Sequence, residues 1–342
     1  MIYWFLGLLT SISSFSVHLE YASYFPNRSG SEVVYPEQAF PRPKYLFPVA
    51  FAVQSVILSF SSGNSIGTWD QYVSVLDESP DWIRVLAQYL FRTNGHTPTN
   101  WELNGVAIAG YTVTVLLVIS QTRFSYLISN GIGLVKVLTL LFIAITGFVV
   151  LGGHTKAHTT NFDHSFENYL FSYAGFEKSF NVVNETRNPV KRIRTYGFIS
   201  ILVVSVLYIL ANVAYFAAVP NKTLTGSSQV VASIFFQHVF GSSHAVKGLN
   251  ILIALSAFGN LIAVLIGQSR VIRECGRQGV LPWPAFWAST KPFGTPIGPY
   301  FIKWFITILM ILAPPAGDAF NFITDFQVYP SSVFILLMSV GL

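Results

Sequence analysis

Long apolar runs alternate with short polar segments along most of this chain. Ile2–Tyr24, Leu127–Leu151 and Tyr196–Val219 are each long enough to cross the roughly 30 Å hydrocarbon core of a bilayer as a helix. Similar runs occupy Tyr45–Ile66, Val106–Ser120, Ala245–Ile272, Gly298–Leu312 and Asp318–Leu342, and Val230–Phe240 is a shorter apolar helix. The pattern predicts an all-α polytopic membrane protein.

One further crossing is predicted where the chain is unusually polar. The segment Gly152–Asn168 carries Lys156 as its only lysine or arginine, whereas the segment before Tyr196 is strongly basic. By the positive-inside rule these flanks lie on opposite sides of the membrane, so Tyr169–Glu185 must cross between them. Its Gly175 among polar groups predicts a helix interrupted near the midplane, where freed backbone groups can hold a solute. A surface helix is the alternative.

The loop charges give an orientation. The predicted inner loops hold twelve lysines and arginines: Arg28, Arg42, Lys44, Arg123, Arg187, Lys191, Arg192, Arg194, Arg270, Arg273, Arg277 and Lys291. The predicted outer loops hold three, namely Arg92, Lys156 and Lys222. This asymmetry predicts about nine spans with the N-terminus outside, and we expect that a preceding span is absent.

The apolar run that begins at Tyr45 is interrupted by an acidic stretch, residues 67–84, which holds Asp70, Asp77, Glu78 and Asp81. Joining Ile66 to Val85 would restore one continuous span. We interpret the stretch as an insertion, such as an intron translated in frame; a native extracellular loop is the alternative.

Composition narrows the class of protein. Of 342 residues, 52% are hydrophobic and only 10% are charged, against about 25% in soluble domains. Most of the basic residues lie in loops between spans, so the net charge of +5 does not indicate nucleic-acid binding. The single Cys275 excludes an intramolecular disulfide and a multi-cysteine metal site. One transmembrane domain, residues 1–342, is predicted.

Enzymatic chemistry has little support in the sequence. No phosphate loop, HExxH or GxSxG motif occurs, so we expect neither an enzyme nor a cofactor. A group of outer-loop side chains offers zinc ligands, but flexible loops also gather histidines without metal. Its members are His154, His158, Asp163 and His164.

Three segments carry a resemblance to a known family. They are YLFSYAGFEKSFNVVNETRNPVKRIR (Tyr169–Arg194), LEYASYFPNRSGSEVVYPEQAF (Leu19–Phe40) and SRVIRECGRQGVLP (Ser269–Pro282). In this order they resemble amino acid permeases of the amino acid–polyamine–organocation superfamily. Within its L-type amino acid transporter branch, the chain is similar to the fungal high-affinity methionine permease group.

The resemblance implies a fold of two inverted five-span repeats, of which the nine predicted spans are the second to the tenth of twelve. Substrate then binds at the midplane between the broken first and sixth spans. We expect the first span, which binds the substrate's carboxylate, and the last two spans to be absent from this chain, so the 5+5 fold is incomplete.

The resemblance also implies site residues. Those matching the sixth-span break, and hence substrate binding, are Phe171, Ser172, Tyr173, Ala174 and Gly175. Glu177 matches a gate position, and Lys136 matches a fifth-span lysine that replaces a sodium ion in proton-coupled members. A lysine out of water loses its proton more readily, so it can exchange one during transport. The alternatives are packing for Phe171 and Tyr173, an ion pair for Glu177 with Lys178 or Lys136, and snorkelling for Lys136, about two turns from the inner end of its apolar run.

The implied function is secondary active import of neutral, methionine-like amino acids across the plasma membrane. A proton is the implied coupling ion, and the lipid bilayer is the implied surroundings. The alternative is a truncated permease fragment that does not transport.

Overall fold

The structure is a computed structural model. It describes residues 2–28, 31–53, 90–91, 99–152, 179–181, 183, 188–219, 231–241, 244–312 and 333–342. The acidic stretch 67–84 lies outside these residues, as do Phe171–Gly175, Glu177 and the histidine group of the outer loop. The predictions made for those segments therefore stay predictions.

All regular structure in the described part of the chain is helical. In chain order the helices are α1 (Ile2–Tyr24), α2 (Ser31–Ala39), α3 (Leu46–Val53), α4 (Asn100–Ser120), α5 (Thr122–Leu151), α6 (Pro189–Ala218), α7 (Val231–Phe240), α8 (His244–Arg277), α9 (Pro284–Ala288), α10 (Ile297–Leu312) and α11 (residues 333–341). Four of them are long and apolar enough to cross a membrane: α4, α5, α6 and α8. This confirms the predicted all-α class, while the count of nine spans stays a prediction.

The predicted helix positions agree well with the structure, but several helices are longer than their apolar runs. α1 has the predicted bounds, whereas α5 begins five residues before Leu127 and α6 begins seven residues before Tyr196. α8 continues to Arg277, five residues beyond the apolar run Ala245–Ile272, so Arg273 and Arg277 lie in its last turns and not in the predicted inner loop. Apolar runs report the lipid-embedded part of a helix, and a helix can continue beyond it.

Local sequence signals explain where two of these helices begin. The hydroxyl of Thr99 accepts from the backbone N–H of Glu102 at 3.4 Å, and the Thr99 N–H donates to the Glu102 carboxylate at 2.8 Å. This capping box satisfies backbone groups that the first turn of α4 leaves unpaired. Pro189 starts α6 at a position where its missing N–H costs nothing.

α8 is the central helix of the described part. Half of the residues in its most apolar stretch are buried, compared with 22% of those in the corresponding stretches of α5 and α6. One core packs Ala257, Leu261 and Leu265 of α8 against Tyr111 of α4 and Tyr300 of α10. A second core joins Val271 and Cys275 to α1, α2, α3 and α11. Side chains on α8 are therefore the ones best placed to connect the other helices.

Glycines allow two close helix contacts along α5. A Cβ on Gly147 would lie 2.5 Å from Cα of Ala214 on α6 and closer still to its Cβ. A Cβ on Gly259 of α8 would lie 2.9 Å from Cβ of Ile132 and closer still to its Cγ2. Only glycine fits at either position without moving a helix, which is how small residues tighten helix packing in membranes.

Candidate functional site

The described chain resumes directly after the predicted interruption of the sixth span. Residues 179–181 and 183 form a short 3-10 turn, in which Phe180, Asn181 and Val183 are buried. This turn is the described part of the structure nearest in sequence to Phe171–Gly175. Its contacts are therefore the described contacts nearest in sequence to the predicted substrate site.

The turn packs against α1 and α6. The ring of Phe180 lies 5.3 Å from that of Phe15 and 5.3 Å from the His18 imidazole, measured between centroids. Phe15 also meets Phe198 of α6 edge-on at 4.9 Å. The close approach of Gly197 to the ring of Phe15 completes this contact. A cluster of aromatic rings thus holds Phe180 against α1, and Phe15 links this cluster to α6.

Lys136 lies almost midway along α5, about 21 Å from its first residue at 1.5 Å per residue. It falls on the face of α5 that is turned inward. At 100° per residue, Ile132, Lys136, Ile143 and Gly147 lie within about 60° of one another around the helix. Ile132 and Ile143 are 6% and 2% exposed, whereas Leu134 on the opposite face is 62% exposed.

This placement bears on the alternative that Lys136 snorkels to the membrane surface. Lys136 lies nine residues after Leu127, about two and a half turns into the apolar run, although the helix itself begins at Thr122. A lysine that snorkels extends along apolar surface towards the headgroups. Its position on the packed face favours an internal role, because ionisable groups at membrane depth normally face the bundle interior.

A second polar group, which the sequence did not predict, lies between α8 and α10. Arg270 is 5% exposed and donates through Nη1 to the hydroxyl of Tyr300 at 2.6 Å and to Oγ of Ser269 at 3.2 Å. Lys303, one turn after Tyr300, is 1% exposed. The charge of Arg270 predicts an inner loop, and the structure buries it in α8 instead. One feature of the sequence could have predicted a buried polar group here: Lys303 lies inside the apolar run Gly298–Leu312.

Two hydrogen bonds between side chains also join α10 to α4. Nε1 of Trp304 donates to the hydroxyl of Thr112 at 3.0 Å, and the hydroxyl of Thr307 donates to that of Tyr111 at 3.4 Å. They hold α10 on the core formed by α4 and α8. Such hydrogen bonds between helices fix their relative rotation in a medium that offers few other partners.

A metal site finds no support among the residues that the structure describes, where no group of three or more histidine, cysteine or acidic side chains comes together. The predicted zinc alternative at His154, His158, Asp163 and His164 falls outside those residues. Cys275 is fully buried in the second core. Its environment is that of a packed apolar side chain.

Comparison with known proteins gives a consistent result. The profile of a family described as amino acid permease matches residues 1–342. The chain is 30% identical to the high-affinity methionine permease of Saccharomyces cerevisiae over its whole length, and 25% identical to the low-affinity methionine permease of the same yeast over 99% of its length. It is also 27% identical to the human cystine/glutamate transporter over 64% of its length.

The match covers only part of each relative. The chain spans 59% of the high-affinity yeast permease, 62% of the low-affinity one and 45% of the human transporter.

Proposed function

Since this chain belongs to the amino acid permease family, we propose that it carries out secondary active transport of neutral, methionine-like amino acids, driven by protons. Membership rests on the family profile that matches all 342 residues. The substrate proposal rests on the similarity to two yeast methionine permeases, one of them at 30% identity. We also propose that the protein lies in the plasma membrane and that this chain forms about nine spans of a 5+5 fold.

The observation that best supports proton coupling is the position of Lys136. It lies midway along a membrane-spanning helix and on the face that packs against α6 and α8. A lysine that can release a proton in such a place can change charge once per transport cycle. Lys136 is therefore the proposed coupling residue.

The proposed substrate site is the interruption of the sixth span at Phe171–Gly175. Carbonyl groups freed by a helix break accept hydrogen bonds from the substrate's ammonium group. Phe171 or Tyr173 can cover that cation with a ring face. Glu177, next to the break, is the proposed gate. Transport follows by alternating access, in which one group of helices rocks against another around the fixed site.

Uptake of labelled methionine in a fungal strain that lacks methionine transport tests this proposal. The chain should support uptake that increases in acidic medium, and Gly175→Leu should abolish it by filling the break. Lys136→Met should remove the pH dependence, because methionine keeps the length of the side chain but carries no proton. The control is Lys191→Met, an exposed lysine at the start of α6 that should transport normally.

A second pair of variants distinguishes transport from the alternative of an inactive fragment. In one, residues 67–84 are deleted; in the other, an additional N-terminal span is also supplied. Uptake by the second variant alone would favour the fragment interpretation of the chain as it stands. If every membrane-inserted version failed to take up any amino acid, the transport proposal would be wrong.

A further inference from the structure

The contact between Gly259 and Ile132 has a consequence for Lys136. Gly259 is buried on α8, and its backbone lies directly against the Ile132 side chain of α5. Any Cβ at position 259 would overlap that side chain. The contact therefore brings α5 and α8 closer together than two helices with larger residues could come.

Ile132 and Lys136 are four residues apart on α5, so they occupy the same face in successive turns. A continuous helix transmits a displacement at Ile132 to Lys136, because one turn of helix is too short and stiff to absorb it. The next glycine contact along this face, Gly147 with Ala214, joins α5 to α6 instead. The Gly259 contact is thus the one close glycine approach, among the described residues, that sets Lys136 relative to α8.

We propose that Gly259 is a positioning residue for Lys136: by admitting Ile132 against the backbone of α8, it sets the depth and direction of the lysine side chain. This inference rests on the proposed role of Lys136 in proton coupling. Gly259 has no side chain and therefore no group that gains or loses a proton. Its part is to fix the helix that presents the lysine.

The neighbouring glycine of α5 supplies a matched control. Gly133 follows Ile132 directly, and a Cβ there would meet nothing within 4 Å. Gly259→Ala and Gly133→Ala thus make the same chemical change near the same helix turn, but only the first creates an overlap. The double variant Gly259→Ala with Ile132→Gly removes the overlapping side chain again, including its Cβ.

The first measurement is the separation of α5 and α8, which does not depend on transport. Spin labels are attached to cysteines at Leu134 and Leu255, both exposed, in a chain carrying Cys275→Ala. We expect Gly259→Ala to lengthen the distance between labels, Gly133→Ala to leave it unchanged, and the double variant to restore it. An unchanged distance in Gly259→Ala would overturn the inference.

The second measurement is the ratio of methionine uptake in acidic medium to that in neutral medium. For Gly259→Ala we expect this ratio to fall by about threefold or more, with recovery in the double variant. A lengthened distance with an unaltered ratio would show that the contact only packs the helices, which also overturns the inference. If the chain without substitutions takes up no methionine, the proposed function is wrong. The distance between the spin labels still tests whether Gly259 sets the position of α5.

Discussion

Glu274 at the end of α8 holds Arg28 from the loop that follows α1. Nε of Arg28 donates to Oε1 of Glu274 at 3.2 Å, and Nη1 of Arg277 donates to Oε2 at 3.2 Å. The carboxylate side chain is 3% exposed, whereas the two arginines are 43% and 47% exposed. The two bonds tie α8 to the segment between α1 and α2 on the predicted inner side.

Replacing Glu274 by glutamine should destabilise the protein measurably. A buried carboxylate that loses its charge leaves both arginines with a weaker acceptor, but their exposure allows water to compensate in part. We expect a loss of about 1–2 kcal/mol, seen as a lower unfolding temperature in detergent. The control Glu20→Gln changes an exposed carboxylate and should leave the temperature unaltered. Equal temperatures for both variants would contradict the expectation.

Gly147→Ala should also destabilise, through the contact of α5 with α6. The new Cβ would overlap Ala214, and overpacking of this kind costs about 1–3 kcal/mol. Gly131→Ala is the matched control, because its Cβ would meet nothing within 4 Å and alanine favours a helix. Adding Ala214→Gly to Gly147→Ala should recover only part of the unfolding temperature, because Cα of residue 214 would still lie 2.5 Å from the new Cβ. A double variant no better than the single one would mean that another contact limits this interface.

Tyr300→Phe tests the buried bond to Arg270. It removes the hydroxyl that Nη1 of Arg270 reaches at 2.6 Å while keeping the ring. Loss of a buried partner of a charged donor costs about 1–3 kcal/mol, which should lower the unfolding temperature. Tyr196→Phe, at a site that is 66% exposed, should have no such effect. An unchanged temperature in Tyr300→Phe would show that the hydroxyl adds nothing to stability.

The thiol of Cys275 should resist modification in the folded protein. It is fully buried in the core that α8 forms with α1, α2, α3 and α11, so a maleimide cannot reach it without local opening. Mass spectrometry should find the thiol unmodified until denaturant is added. The control is Ser289→Cys on the same predicted side, at the exposed residue that follows α9, which should react far sooner. Rapid labelling of Cys275 in native protein would contradict its burial.

Hydrophobic pattern and charge determined the class of this protein and the positions of most of its helices. The bounds of α1 agree with its apolar run, and those of α7 and α10 differ from theirs by one residue at the start. The lipid solvent makes this possible, since an apolar run of sufficient length can satisfy its backbone only as a helix. The family could be identified from three short motifs, and the profile match over residues 1–342 agrees with it.

The pairing of side chains across helices was decided only by the tertiary structure. No local signal in the sequence predicts the contacts of Ile132 with Gly259, Arg28 with Glu274 or Arg270 with Tyr300. The first two pairs join residues more than a hundred positions apart, and the third joins two different helices. The charge of Arg270 suggested a loop, whereas a hydroxyl from α10 makes its burial tolerable. Hydropathy records whether a residue suits lipid, but not which neighbour satisfies it, and that depends on the rotation and separation of packed helices.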